Sequence, residues 1–338
     1  MLALAGCVDQ ANGGGAGSRD QITAVGSSTV YPFTSMIAEQ LVANDSRAKA
    51  PVIESTGTGA GMKLFCAGVG AAHPDIEDAS RRMKASEYAQ CAANGVRDIL
   101  EIQVGIDGIA FAEAKNGPKM ILTPTDLYKA LAANPGGRRN TARVWRDVNP
   151  ALPAVPIQVY GPPATSGTRD ALAELILTKG CEDSDPSAAG LAKSDSEAHK
   201  ALCTRVREDG VYVDAGENDN LIVQKLQSNP NAIGVFGYSY LEENKDSVNG
   251  VAISGVAPTY ASIADNAYPG SRPLYIYVKK AHLTAIPGLR TLLTLYAANW
   301  GATGPLVKRG LIAAPADVQA RSGAIVKNET VLDPAVLK

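Results

Sequence analysis

Apolar positions along the chain fall into short β-type runs that alternate with stretches of helical periodicity. Ile22, Ala24 and Val25 form the first run. Phe33, Met36, Ile37 and Leu41 then recur at the spacing of one helix face, which ends near Asn44. Residues 51–54 predict a second strand and residues 62–69 a second helix, and Ala79-Ser80 would close a third strand. Leu100 to Phe111 is the longest β-type run of the first half, and its central glycines suit a strand that leaves one domain and enters another. Residues 127–133 read as a short helix and 138–153 as a polar connector, with Trp145 a packing residue. Residues 156–160, 211–214 and 231–238 predict further strands. Leu172, Leu175 and Ile176 mark one helix, residues 220–226 another, and residues 181–209 form a polar, charged excursion. Leu274 to Val278 is a second candidate crossing strand, followed by helical stretches at 289–300 and 315–322. Strands alternating with helices make the class α/β.

Three of the junctions share one composition. Gly26-Ser27-Ser28-Thr29-Val30-Tyr31-Pro32 lies between the first strand and helix, where Ser28 or Thr29 suits the cap and Pro32 the first turn. Ser55-Thr56-Gly57-Thr58-Gly59-Ala60-Gly61 repeats the arrangement, and Gly161-Pro162-Pro163-Ala164-Thr165-Ser166-Gly167-Thr168 repeats it again before a helix starting at Arg169. A small-residue turn at a helix start points backbone N–H groups and hydroxyls at one place, which favours an anion. None is a P-loop or a dinucleotide fingerprint, since no GK[ST] follows and the glycine spacing misses GxGxxG. Two such turns early in the chain and one later predict an anion clamped between two lobes. Arg81, at the edge of the third strand, could grip an oxyanion through two hydrogen bonds.

Composition narrows the classes. With 338 residues the chain can bury a large core and form two domains. Thirty-two basic against 34 acidic residues give a net charge of −2, so no basic nucleic-acid surface is expected. No apolar run reaches the roughly 18 residues of a membrane span. Leu4-Ala5-Gly6-Cys7 resembles the lipobox of bacterial lipoproteins, although only six residues precede Cys7, and residues 9–17 read as a flexible tether. Cys66, Cys91, Cys181 and Cys203 remain. Their spacing suggests Cys66–Cys91 and Cys181–Cys203 among three possible connectivities, in an exported, oxidising location, with four free thiols as the alternative. No Cys/His spacing suits a metal.

The three turns, their order and the crossing strands resemble the phosphate-binding protein of the bacterial ABC phosphate importer, the PstS family. Asn231-Ala232-Ile233-Gly234 and Tyr268-Pro269-Gly270-Ser271-Arg272-Pro273-Leu274 also look like that family. The resemblance implies a two-lobed type II periplasmic binding fold, each lobe a mixed sheet flanked by helices, joined by two hinge strands. Its divisions here would be a lipobox-like start and tether over residues 1–20, lobe 1 over 21–107 plus 274–338, and lobe 2 over 108–273. It implies high-affinity capture of inorganic phosphate in the cell envelope by a monomer, lipid-anchored through Cys7. Delivery is to the membrane subunits of an ABC permease, with no cofactor, metal, nucleic acid or catalysis.

Carried over by motif, Ser28, Thr29 and Val30 would donate from the first turn, Thr58 and Gly59 from the second, and Ser166, Gly167 and Thr168 from the third. Two positions depart from the best-studied members. Pro162 stands where they carry an Arg, and Arg81 stands where an Asp accepts the phosphate proton. The cation would then be Arg81, with Arg169 behind it, and the proton acceptor Asp107, with Asp78 or Asp214 behind it. Two other classes remain open: the same fold binding sulfate, molybdate or another tetrahedral oxyanion, and a phosphate-ester hydrolase. The hydrolase finds little support, because His73, His199 and His282 have no metal-ligand spacing and no GxSxG elbow is present.

Overall fold

The computed structural model describes residues 19–27, 29–164, 166–216 and 219–337; Cys7 and Ser28 lie outside them. Strands β1 (Thr23–Gly26), β2 (Val52–Ser55) and β3 (Ile76–Ala79) run parallel, with β1 in the middle. Next come β4 (Ile99–Ala114), β5 (Ile121–Leu122), β6 (Val159–Gly161), β7 (Tyr212–Asp214), β8 (Ile233–Gly237), β9 (Val248–Gly250), β10 (Ala252–Ile253) and β11 (Ser271–Lys279). Sheet order among the described residues is β2-β1-β3-β11-β4-β8-β6-β7, with β9 also on β4 and a separate β5–β10 pair.

The 16-residue β4 serves both halves of this sheet. Its first part pairs with β11 from Ile99 to Gly108, and its second part pairs with β8 from Ile109 and with β9 from Ala112. The apolar cores divide along the same line. Ile22, Ile37, Ile102, Leu274 and Leu292 belong to one, and Phe111, Leu127, Trp145, Ile176 and Phe236 to another. Trp145 is fully buried, as a packing residue would be. The chain returns after residue 310, where Ile312 bridges to Ile106 and packs into the second core.

Several local elements differ from the sequence expectation: the second helix spans Thr58–Phe65 rather than 62–69, and the connector 138–153 contains a helical turn, Trp145–Val148. The excursion over residues 181–209 is held by the Cys181–Cys203 disulfide as expected, and it is helical: Thr178–Ser184, Ser187–Ser194 and Ser196–Cys203 fold around that bond. Their short apolar faces need that cross-link to hold together. The third-turn helix starts at Gly167 rather than Arg169, because Ser166 caps it by accepting from the Thr168 N–H. Strand β6 is shorter than residues 156–160 suggested. The other pairing, Cys66–Cys91, joins the helices flanking β3.

A buried charge cluster pins the start of the first half. Asp75 accepts from Arg19 Nη2 at 2.5 Å, the Thr23 N–H at 2.7 Å and His282 Nδ1 at 2.6 Å. His282 Nε2 accepts from the Gly70 N–H, so the ring proton lies on Nδ1 and points at Asp75. Asp75→Ala strands Arg19 and His282 without their anion and should cost about 3–5 kcal/mol, read as a lowered urea midpoint with an unchanged slope.

Candidate functional site

The first turn is shaped by a close approach of main chain. Gly26 has φ +128°, and a Cβ there would run into the Asp78 carbonyl oxygen, so only glycine fits. Ser27 N–H donates to that carbonyl at 2.7 Å, and Ser27 Oγ accepts from the Thr29 N–H at 3.1 Å. Ser27 thereby uses the local hydrogen bond that Ser28 or Thr29 was expected to make. Helix α1 (Tyr31–Asn44) begins two residues later, with Val30 at its cap position, no side-chain cap and Pro32 in the first turn. The Tyr31 N–H donates to the Ser27 carbonyl at 3.0 Å, and the Phe33 and Thr34 N–H groups donate to the Val30 carbonyl.

The second turn lies against the first. Thr56 and Gly57 N–H groups both donate to the Gly26 carbonyl, at 2.9 and 2.7 Å. Helix α2 (Thr58–Phe65) also has no side-chain cap. The Thr58 hydroxyl accepts from the Ser80 N–H at 3.1 Å, which fixes the turn to the end of β3. Gly59 is unobstructed, with nothing within 4 Å of where a Cβ would be. The third turn reaches across: a Cβ on Gly167, at the start of α3 (Gly167–Ala171), would lie 3.3 Å from Thr29 Cα. Thr29, Asp107, Ser166, Gly167 and Thr168 line one cavity of about 400 Å³, with Lys308 and Arg309 at its wall.

Arg272 is a buried cation that touches the first turn. Its Nη2 donates to Thr29 Oγ1 at 2.9 Å, its Nε to Asp107 Oδ2 at 3.2 Å, and its Nη1 pairs with Glu174. The Arg272 side chain is 6% exposed, so its bonds to Thr29 and Asp107 lie largely out of water, whereas Glu174 is open to solvent. Arg272 and Asp107 face each other in the β11–β4 register, 165 residues apart in sequence. Burial pushes the Asp107 carboxyl up, and Arg272 opposes that.

Arg81 does follow the end of β3, but its guanidinium is clamped on both Glu87 oxygens, at 2.7 and 2.9 Å. That hydrogen-bonded pair holds it above its ordinary pKa, with Glu174 adding a smaller push. Arg169 lies over the Tyr212 ring at 4.0 Å, and Asp214 accepts from the Gly216 N–H. The structure therefore places Arg81, Arg169 and Asp214 in contacts of their own and puts Arg272 beside Thr29. Arg272 sits within the quoted Tyr268–Leu274 motif, yet nothing local to it discloses Asp107 as its partner.

Two carboxyls lie beneath the turns, on opposite faces of β3. Asp78 accepts from Thr34 Oγ1 at 2.9 Å, and burial pushes it up to about 7. Glu77 is fully buried between Gly26 and Gly61, both its oxygens lack a partner, and burial pushes it up to about 11. Glu77 is thus neutral in the folded chain and ionises near its ordinary 4.5 when unfolded. Its raised folded pKa means a contribution complete below about 4.5 and lost as pH rises towards about 11. Glu77→Gln should remove that slope, so that between about pH 5 and 8 the variant loses less stability than the parent chain, by at most about 1.4 kcal/mol per pH unit. Urea unfolding at the two pH values measures it, and equal slopes would mean an ionised Glu77.

Comparison with known proteins extends the picture. Residues 11–299 match the model of the PBP superfamily domain. Protein SphX of Synechococcus elongatus is 30% identical over 289 residues, 84% of this chain and 75% of that protein. Phosphate-binding protein PstS of Staphylococcus saprophyticus is 28% identical over 297 residues, 86% of this chain and 80% of that protein. The crystal structure of a possible phosphate binding protein from Planctomyces limnophilus superposes with a TM-score of 0.73 at 28% identity, covering 91% of this chain and 98% of that one. A phosphate transport receptor from Vibrio cholerae shares the fold at a TM-score of 0.56 and 22% identity, over 87% of this chain and 99% of that one. The architecture is that of the type II periplasmic binding proteins.

Proposed function

The chain belongs to the PstS family of phosphate-binding proteins within the PBP superfamily, and we propose that it captures inorganic phosphate and delivers it to an ABC permease without altering it. One observation carries this: the first and third small-residue turns line one cavity with Asp107, the second turn is bonded to the first, and the buried Arg272 guanidinium touches both Thr29 and Asp107. Donors come from Thr29 and Val30, Thr58 and Gly59, and Ser166, Gly167 and Thr168, with Ser28 contributing by motif. Neutral dipoles and hydroxyls supply most of the binding, which is why a chain of net charge −2 can hold an anion.

We assign the principal cation to Arg272, with Arg81 in an outer position. Asp107 accepts the phosphate proton. Sulfate, which lacks that proton at neutral pH, would leave the carboxylate facing another acceptor, and such unpaired buried groups are what give polar sites their discrimination. Lobe 1 is taken as residues 21–107 plus 274–338 and lobe 2 as 108–273, with the cleft between them. The two disulfides support an extracytoplasmic location, with a lipid anchor at Cys7 as part of the same proposal. A hydrolytic role finds no partner for Ser166 among the histidines: His282 is bonded to Asp75, His199 lies beside Glu182, and His73 abuts Gly68.

Calorimetry with phosphate and sulfate tests the assignment, and equal affinities would overturn it. Arg272→Ala should weaken phosphate by about 30-fold or more, the equivalent of about 2 kcal/mol. Arg81→Ala should cost more than Arg82→Ala, whose guanidinium is held by Glu101, and equal losses would remove Arg81 from the site. Asp107→Asn should weaken phosphate and improve sulfate, and an unchanged ratio would assign the proton acceptor elsewhere.

A further inference from the structure

Glu174 has no part in that donor set, yet it occupies the guanidinium on which the set depends. It sits in a π-helical turn, Leu172–Leu177, that continues directly from α3. It follows Gly167 by seven residues, about two turns along the same helix face, and that is the face Gly167 turns towards Thr29. Wider turns of this kind are frequent at functional sites. The contact joins a helix of the second core to a strand of the first, because Arg272 opens β11 and also holds Thr29 of the first turn.

The geometry points to Glu174 as an internal anion that competes with phosphate for Arg272: its carboxylate engages the guanidinium, and an incoming phosphate must displace it. Arg272 donates Nε to Asp107, Nη2 to Thr29 and Nη1 to Glu174. A two-point grip on an oxyanion needs neighbouring N–H groups of the fork, and Glu174 engages one arm of it. The asymmetry of burial fits displacement. Arg272 is 6% exposed and fixed, whereas the Glu174 side chain is 61% exposed and can swing into water at little cost. Two carboxylates then surround one guanidinium, so a bound phosphate beside an undisplaced Glu174 would meet direct repulsion. The charge of Glu174 bears on Asp107 and Arg81 as well, which places it in the field of the whole site. Glu174 is therefore a positioning residue that sets affinity by competing for Arg272.

This inference rests on the phosphate reading, and one experiment separates the two. Phosphate binding to the full chain and to Glu174→Gln is followed by calorimetry and by stopped-flow fluorescence. Asp183→Asn, a carboxylate further along the same helical stretch that pairs with Lys179, serves as control. Glu174→Gln should bind phosphate about five- to tenfold more tightly, with the gain in the association rate and an unchanged melting temperature; Asp183→Asn should match the parent. Unchanged or weaker binding by Glu174→Gln, with the parent binding normally, overturns the internal anion alone. Absence of phosphate binding by the parent overturns both.

Discussion

The cleft depends on the approach of Gly26 to the backbone of Asp78. Because no Cβ intervenes, β1 can end directly against β3, and Ser27 can donate to the Asp78 carbonyl. The Gly26 carbonyl then receives the N–H groups of Thr56 and Gly57, and Gly61 packs on Gly26 from the other side. Two helix N-termini are thereby set side by side largely by backbone contacts. Backbone geometry is hard to perturb by side-chain motion, so these donors are in place before any ligand arrives. That preorganisation is what lets dipoles compete with water for an anion.

Charge is used sparingly and mostly in balanced groups. Arg81 is matched by Glu87, Arg82 by Glu101, and Asp75 by Arg19 and His282. Glu77 under the first turn avoids unpaired charge differently, because burial keeps its proton on, and burial raises its neighbour Asp78 to about 7. Arg272 departs from this balance, since it answers to two carboxylates and to a hydroxyl of the first turn. A guanidinium in that position can change partners without leaving its place, as a binding cleft that empties and refills requires.

Much of this was legible in the chain. The three turns could be read because their chemistry is local: glycines where main chain approaches closely, a proline in the first turn of α1, and Ser or Thr near each helix start. The crossing strand β4 was visible as one long apolar run with glycines at its centre. Local capping detail was less legible, because Ser27, Ser28 and Thr29 are chemically equivalent candidates and only the strand beneath decides which one is used.

The sequence by itself determined the α/β class, the three small-residue turns and their order, and the half-cystine neighbours that the structure joins. These follow from residue type over short spans, where propensity and turn chemistry act. Tertiary structure decided which guanidinium touches the first turn and what each one pairs with. Arg81 looked like the site's cation because it follows a strand, but Glu87, six residues on, lies within its reach and takes its guanidinium. Arg272 became the cation beside Thr29 because the β11–β4 register sets it opposite Asp107, and the path of the helix after α3 brings Glu174 to it. Register and helix path are settled by packing over more than a hundred residues, and no short stretch of sequence contains that information.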